Sequence, residues 1–284
     1  MNRLRDYLIL TKPEITFMNV AMALGGFYLG SAGHLDLTRL AYMLAGVTLG
    51  AAGTGALNMY FERAVDGRMR RTRLRPLPAG RLAPWQALAV GAGAVAAGIA
   101  CLAWRVNLLS ALLLALAVAN YLLTYTALKP KTYGCVLVGA LSGAAPPLIG
   151  WVAATGRISG SAGALFLILF LWQIPHFLAL AWLHREDYAS VGWRMLPTND
   201  PDGRGTGRQM VGYGAALLLA TLLPWGFGLV HPVYLVGAAG LGVLFLAMEA
   251  RFARQRTTPA ARAVFVGSMI YLPALFGLLA VHKL

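Results

Sequence analysis

Asn58, Glu62 and Asp66 stand four residues apart, and seven arginines share residues 58–84 with them. If a helix runs through this stretch, each step of four turns only about 40°, so the three polar groups form one stripe about 12 Å long. Two carboxylates and an amide oxygen are hard oxygen ligands. Mg²⁺ favours such ligands, keeps several waters and commonly binds one or two carboxylates together with substrate phosphates. The arginines that follow can grip phosphate oxygens in forked geometry. The same spacing also fits a solvated helix end with i,i+4 charge pairs.

A second cluster runs from Trp172, Gln173, Pro175 and His176 to His184, Glu186 and Asp187. On a single helix, His176, Leu180, His184 and Asp187 share one face. Polar groups near a membrane span are costly and turn toward a cavity or a partner, so Asp187 is expected to complete a carboxylate set with Glu62 and Asp66. A packing role for His176 and Trp172, and a solvated one for His184, remain open on spacing alone. Lys129 and Lys131 end the fourth apolar run, and Lys12 enters from the same side; topological anchoring accounts for them equally well. A Walker loop, an HExxH pair and a Ser/His/Asp set are missing from the sequence, which removes nucleotide-driven transport and ordinary hydrolysis.

The elements that carry these residues are membrane spans. The chain is 58% hydrophobic and 12% charged, with a mean hydropathy of +0.65, which does not suit a water-soluble globule. Apolar runs near twenty residues are what a helix needs to cross a bilayer. Nine are read, at 14–30, 40–57, 85–104, 106–128, 134–154, 161–183, 211–230, 232–250 and 263–281. With this alternation, twenty of the 24 Lys and Arg residues fall on one side; only Arg39, Arg105, Arg157 and Lys283 fall on the other. The positive-inside rule then assigns the N-terminus and both acidic loops to the cytoplasm and the C-terminus to the opposite side.

The net charge of +14 follows from these loops lying against anionic lipid, so nucleic acid is not needed to explain it. Cys101 and Cys135 lie within spans, without metal-ligand spacing. No cleavable signal or transit pattern precedes the first run, and a bacterial inner membrane is the expected location. Pro146-Pro147 is expected to distort the fifth span and leave a hollow beside it. The expected fold is all-α: one domain, residues 1–284, with nine transmembrane helices around a central cavity.

Three motifs carry a resemblance. They are Asn58-x3-Glu62-x3-Asp66-x2-Met69-x-Arg71-Thr72-x2-Arg75-Pro76-Leu77, then Gly143-Ala-x-Pro146-Pro147-Leu-Ile-Gly150-Trp151, then Trp172-Gln-Ile-Pro175-His176-Phe177 with Asp187-Tyr188 and Met195-Leu196-Pro197. The chain resembles the UbiA-type intramembrane prenyltransferases, and the second and third motifs together resemble the haem-farnesylating branch. Glu62 stands where the superfamily commonly has Asp. The second aspartate motif is reduced to Glu186-Asp187, and Lys129-Pro130-Lys131 departs from the usual basic pair.

The resemblance implies Mg²⁺ held by Asn58, Glu62, Asp66 and Asp187, which also serve as the catalytic set. It implies farnesyl diphosphate bound by Lys12, Arg71, Arg75, Lys129 and Lys131, and haem B as acceptor near His176, which either ligates iron or orients a propionate. A quinone or chlorin acceptor is the nearest alternative, and a non-catalytic haem carrier or transporter the more distant one. Hand-over of product to a haem A-forming enzyme is left open.

Overall fold

The computed structural model describes residues 3–284; Met1 and Asn2, at the chain end assigned above to the cytoplasm, lie outside them. The described residues form fourteen α-helices and no β-strand. In chain order they are α1 (Arg3–Leu10), α2 (Pro13–Gly30), α3 (Leu37–Asp66), α4 (Pro84–Arg105), α5 (Leu108–Ala119), α6 (Thr126–Leu128), α7 (Cys135–Gly143), α8 (Ala145–Thr155), α9 (Gly160–Leu183), α10 (Arg185–Ser190), α11 (Arg204–Ala220), α12 (Leu223–Gly226), α13 (Tyr234–Gln255) and α14 (Thr258–Val281). Between α5 and α6 the helix widens to a π-helical turn over Asn120–Tyr125.

Helix starts follow local chemistry. Asp36, Asn107, Ser159 and Thr257 each accept from the backbone N–H three residues on, capping donors that the first turn leaves without a partner. Pro13 and Pro84 open α2 and α4, where a missing N–H costs nothing.

Among the described residues, seven helical stretches are long and apolar enough to cross a membrane: Leu37–Asp66, Pro84–Arg105, Leu108–Leu128, Cys135–Thr155, Gly160–Leu183, Tyr234–Gln255 and Thr258–Val281. The chain is a multi-pass, all-α membrane protein. Of the nine expected spans, length and apolarity confirm seven. Helix α2 is diluted by Glu14 and Asn19. Helix α11 opens with Arg204, Arg208 and Gln209 and ends at Ala220, because Pro224 cannot donate to that residue's carbonyl. The seventh expected span, 211–230, is therefore not one helix.

The helices cluster into two compact units. The first holds the chain up to Ala127 with Ala145–Arg157 and Ser190–Gly192. Its α3 and α4 meet backbone to backbone: a Cβ on Gly53 would lie 2.7 Å from the Gly91 carbonyl oxygen, and one on Gly98 the same distance from that of Gly46. Small residues at such contacts let membrane helices approach closely. The pair α2 and α8 does the same, since a Cβ on Gly26 would lie 2.0 Å from the Pro147 carbonyl oxygen. The fifth span does break, between α7 and α8 at Ala144. The hollow expected beside Pro146-Pro147 is, on the Gly26 side, closely packed.

The arginine-rich segment after α3 is folded. Leu77 and Leu82 bury themselves with Leu10, Ala56, Met59 and Ala87, and Arg81 Nε donates to Asp6 Oδ1 at 2.8 Å, tying the segment to α1.

The second unit holds Leu128–Ala144, Ile158–Ala189 and Trp193–Leu284, with α9, α11, α13 and α14 packed on one another. Gly143 of α7 makes room for Gln173 of α9, whose amide donates to the Ala140 and Leu169 carbonyls. Helix α13 buries Tyr234, Ala238, Gly242, Phe245, Glu249 and Phe252 along one face. The carboxyl of Glu249 lies against Gly214 of α11 and neither of its oxygens has a hydrogen-bond partner.

Candidate active site

Helix α3 runs unbroken for 30 residues, so the stripe expected from spacing forms. Asn58, Glu62 and Asp66 are 1%, 5% and 0% exposed. Buried charge is costly unless it is paired, and the first unit pairs this stripe at both ends. Lys12 Nζ donates to Asn58 Oδ1 at 2.5 Å. Arg75 Nη1 donates to Asp66 Oδ2 at 2.7 Å, and the Thr72 hydroxyl donates to the Asp66 carbonyl at 2.8 Å.

The backbone is shaped for the first of these contacts. Lys12 sits at φ 47° in the left-handed region, which costs a side-chain-bearing residue on the order of 1–3 kcal/mol. Gly55 of α3 lies beneath it: a Cβ there would meet the Leu10 carbonyl oxygen at 3.2 Å and Lys12 Cγ at 3.4 Å.

Two buried polar atoms of the stripe have no partner, Asp66 Oδ1 and Asn58 Nδ2. The first is a charged acceptor that a cation would satisfy; the second is a donor that suits a phosphate oxygen. Among the described residues no three His, Cys, Asp or Glu side chains gather as a self-sufficient metal cage. Mg²⁺ does not need one, since phosphates and water complete its shell; the residues present fit that ion. Arg71 is exposed. The cavity of the first unit, about 410 Å³ and lined by Ser31, Asp36, Arg39 and Arg157 among others, opens at the other end of α3 and includes none of these residues.

The second unit carries the other expected residues. Lys129 is buried, with Nζ 4.4 Å from the Trp193 ring centroid, and its carbonyl accepts from Arg194 N at 2.8 Å. Lys131 is exposed and Asp187 half-buried. The expectation that His176 and Asp187 share one helix face is corrected. Helix α9 ends at Leu183, His184 takes φ −117° and ψ 20°, and Asp187 belongs to the separate α10. A non-helical ψ at His184 turns the chain, so the spacing rule stops there.

His176 is held from three directions. Its ring stacks on Trp172 and on Phe265, each 4.9 Å away between centroids, and its Nδ1 lies 2.7 Å from Ser268 Oγ. Spacing did not single out Ser268, Thr72 or Trp193. Ser268 is one hydroxyl within the apolar run of α14 and carries no sequence signal; Thr72 stands inside the first motif, where a role could have been read.

Residues 19–278 match the UbiA prenyltransferase family. The chain belongs to that family. It is 44% identical over 290 residues to a protoheme IX farnesyltransferase of Solibacter usitatus (strain Ellin6076), covering 99% of each chain. In fold it is similar to the protein of a structure described as giving insights into digeranylgeranylglyceryl phosphate synthase in membranes, with a TM-score of 0.83 at 17% identity over 99% of both chains. It is also similar to a UbiA homologue from Archaeoglobus fulgidus bound to DMAPP and Mg²⁺, with a TM-score of 0.68 at 14% identity over 97% of this chain and 99% of that one. These two likenesses are of UbiA-type fold.

Proposed function

We propose that this UbiA-family protein transfers the farnesyl group of farnesyl diphosphate to a vinyl group of haem B, forming haem O and releasing diphosphate. The observation that carries the reading is the 44% identity, over 99% of both chains, to a protein named protoheme IX farnesyltransferase. In the reaction the farnesyl C1–O bond breaks, C1 bonds to the terminal vinyl carbon, a water oxygen adds to the inner vinyl carbon, and one proton leaves.

On this reading Asn58, Glu62, Asp66 and Asp187 supply oxygen ligands to Mg²⁺. The ion, when bound, neutralises the diphosphate and makes it a better leaving group. Asp66 Oδ1, buried and without a partner, is the first of these ligands. Arg75 holds Asp66 in place and, with Arg71, Lys12, Lys129 and Lys131, offers N–H donors to diphosphate oxygens. Asn58 Nδ2 donates to one of them, and Oδ1, an acceptor with two lone pairs, serves both Lys12 and the ion. The apolar helices shield the allylic cation from early capture by water. His176 serves the porphyrin.

The whole chain, residues 1–284, acts as one domain in a bacterial inner membrane, with its N-terminus in the cytoplasm and its C-terminus opposite.

Incubating the purified protein with haem B, farnesyl diphosphate and Mg²⁺, followed by mass analysis, tests the reading. Haem carrying the farnesyl group plus water is expected. Prenylation of a quinone or chlorin but not of haem would overturn the acceptor. Haem binding that survives loss of Glu62 and Asp66, with no diphosphate release by the wild-type protein, would point to a carrier instead.

A further inference from the structure

Ser268 Oγ makes two contacts of hydrogen-bond length: its hydroxyl donates to the Phe265 carbonyl at 2.6 Å, and it lies 2.7 Å from His176 Nδ1. A serine hydroxyl has one proton. With the proton of His176 on Nδ1, both contacts are hydrogen bonds, Nδ1–H to Oγ and Oγ–H to Phe265. With the proton on Nε2, the hydroxyl must turn to Nδ1 and the Phe265 bond is lost. The network therefore selects the Nδ1–H tautomer, and Nε2 is left with a lone pair. Nε2 itself has no hydrogen-bond partner among the described residues.

The surroundings restrict how that nitrogen can be used. Trp172 and Phe265 stack on the ring and Phe177 meets it at a steep angle, and Trp172 Nε1 donates to the Ser268 carbonyl at 2.9 Å, pinning α14 to α9 beside the histidine. Of the two ring nitrogens, Nδ1 is engaged with Ser268, which leaves Nε2 for a ligand. A lone pair cannot donate to a propionate; it can donate electrons to a metal. Imidazoles that ligate metals usually give their other N–H to a fixed acceptor, which sets tautomer and orientation.

We propose that Ser268 is a positioning residue that holds His176 in this tautomer, and that Nε2 is an axial ligand of the porphyrin iron. The proposal rests on the assignment of His176 to the porphyrin made under the proposed function. It chooses between the two roles that the resemblance left open for that histidine.

The test is a titration of the purified protein with ferric haem B and, separately, with iron-free protoporphyrin IX, read by absorption and electron paramagnetic resonance. The wild-type protein should show imidazole-ligated iron. His176→Ala should lose that signature and weaken haem binding on the order of tenfold or more, while protoporphyrin IX binds as before. Ser268→Ala should shift the ligand-field signature and weaken haem binding without touching protoporphyrin IX. Ser268→Cys, which keeps the volume but is a poor acceptor, should do the same, and Ser268→Thr should restore the wild-type spectrum. Mg²⁺-dependent binding of farnesyl diphosphate reports that each variant is folded. If Ser268→Ala and Ser268→Cys match the wild-type spectrum while His176→Ala does not, Ser268 has no positioning role and the porphyrin assignment stands. If His176→Ala weakens both porphyrins equally, iron ligation is overturned in favour of a propionate contact. If His176→Ala changes neither, the porphyrin assignment itself fails.

Discussion

Arg75 Nη1 lies 2.7 Å from Asp66 Oδ2, while the other oxygen of Asp66 is buried with no hydrogen-bond partner. One oxygen of this carboxylate is thus paired within the protein, and the proposed metal role falls to the other.

Asp66→Asn and Asp187→Asn should therefore fold but lose product formation by orders of magnitude, because removing a charged ligand at a diphosphate site costs several kcal/mol of transition-state stabilisation. Chelation of Mg²⁺ should abolish farnesyl diphosphate binding and leave haem binding unchanged. Isotope-dilution binding of both ligands, with and without chelator, checks this. Near-normal turnover in both variants at limiting Mg²⁺ would reduce the carboxylates to solvated charges.

Lys12 combines a left-handed backbone with a side chain on Asn58, and two variants separate these features. Lys12→Met should weaken donor binding roughly ten- to a hundredfold, since a charge-assisted hydrogen bond is worth about 1.5–3 kcal/mol. Lys12→Gly should weaken it similarly yet melt no lower than Lys12→Met, because glycine removes the backbone cost. Thermal unfolding set beside donor affinity reads the difference.

The contact between α3 and α4 predicts a loss of stability remote from the chemistry. A Cβ at Gly98 would lie 2.7 Å from the Gly46 carbonyl oxygen and 2.8 Å from Gly50 N. Gly98→Ala should cost about 1–3 kcal/mol through forced separation of the helices. Gly93, where a Cβ meets nothing within 4 Å, should accept alanine without loss. Unfolding in detergent compares the pair.

Asp200, in the segment between α10 and α11, sets an acid limit. Burial pushes its carboxyl up, but the Thr206 N–H and hydroxyl and the Gly205 N–H together outweigh this and hold it below the usual carboxylate range. With the lower value in the folded state, the stabilisation is complete above about pH 4 and is lost as pH falls through the folded-state value. Asp200→Asn should melt earlier than wild type at neutral pH, and the gap should close in acid. A gap that stays constant with pH would show that the contribution is not that of the charge.

The basic loops predict the orientation. In a protein freed of Cys101 and Cys135, single cysteines placed at Arg73 and Asp202 should react with a cytoplasm-restricted reagent, and one at Arg157 should not. Equal labelling of all three would undo the two-loop reading.

Several features were readable from residue order alone because they depend on local periodicity. The steps of four from Asn58 to Asp66 define a helix face wherever the helix is unbroken, and α3 is unbroken. The seven apolar helices follow from run length, and family membership from motifs laid out along the chain.

Periodicity fails where one residue changes direction. His184 ends α9 and separates Asp187 from the face of His176, and Pro224 cuts short a run that composition alone reads as a span. Other features existed only once distant segments met. Lys12 reaches across 46 residues to Asn58, and Ser268 across 92 to His176. A lysine before a proline and a serine in an apolar helix have no pattern of their own. Their roles depend on which atom stands opposite, and packing alone sets that.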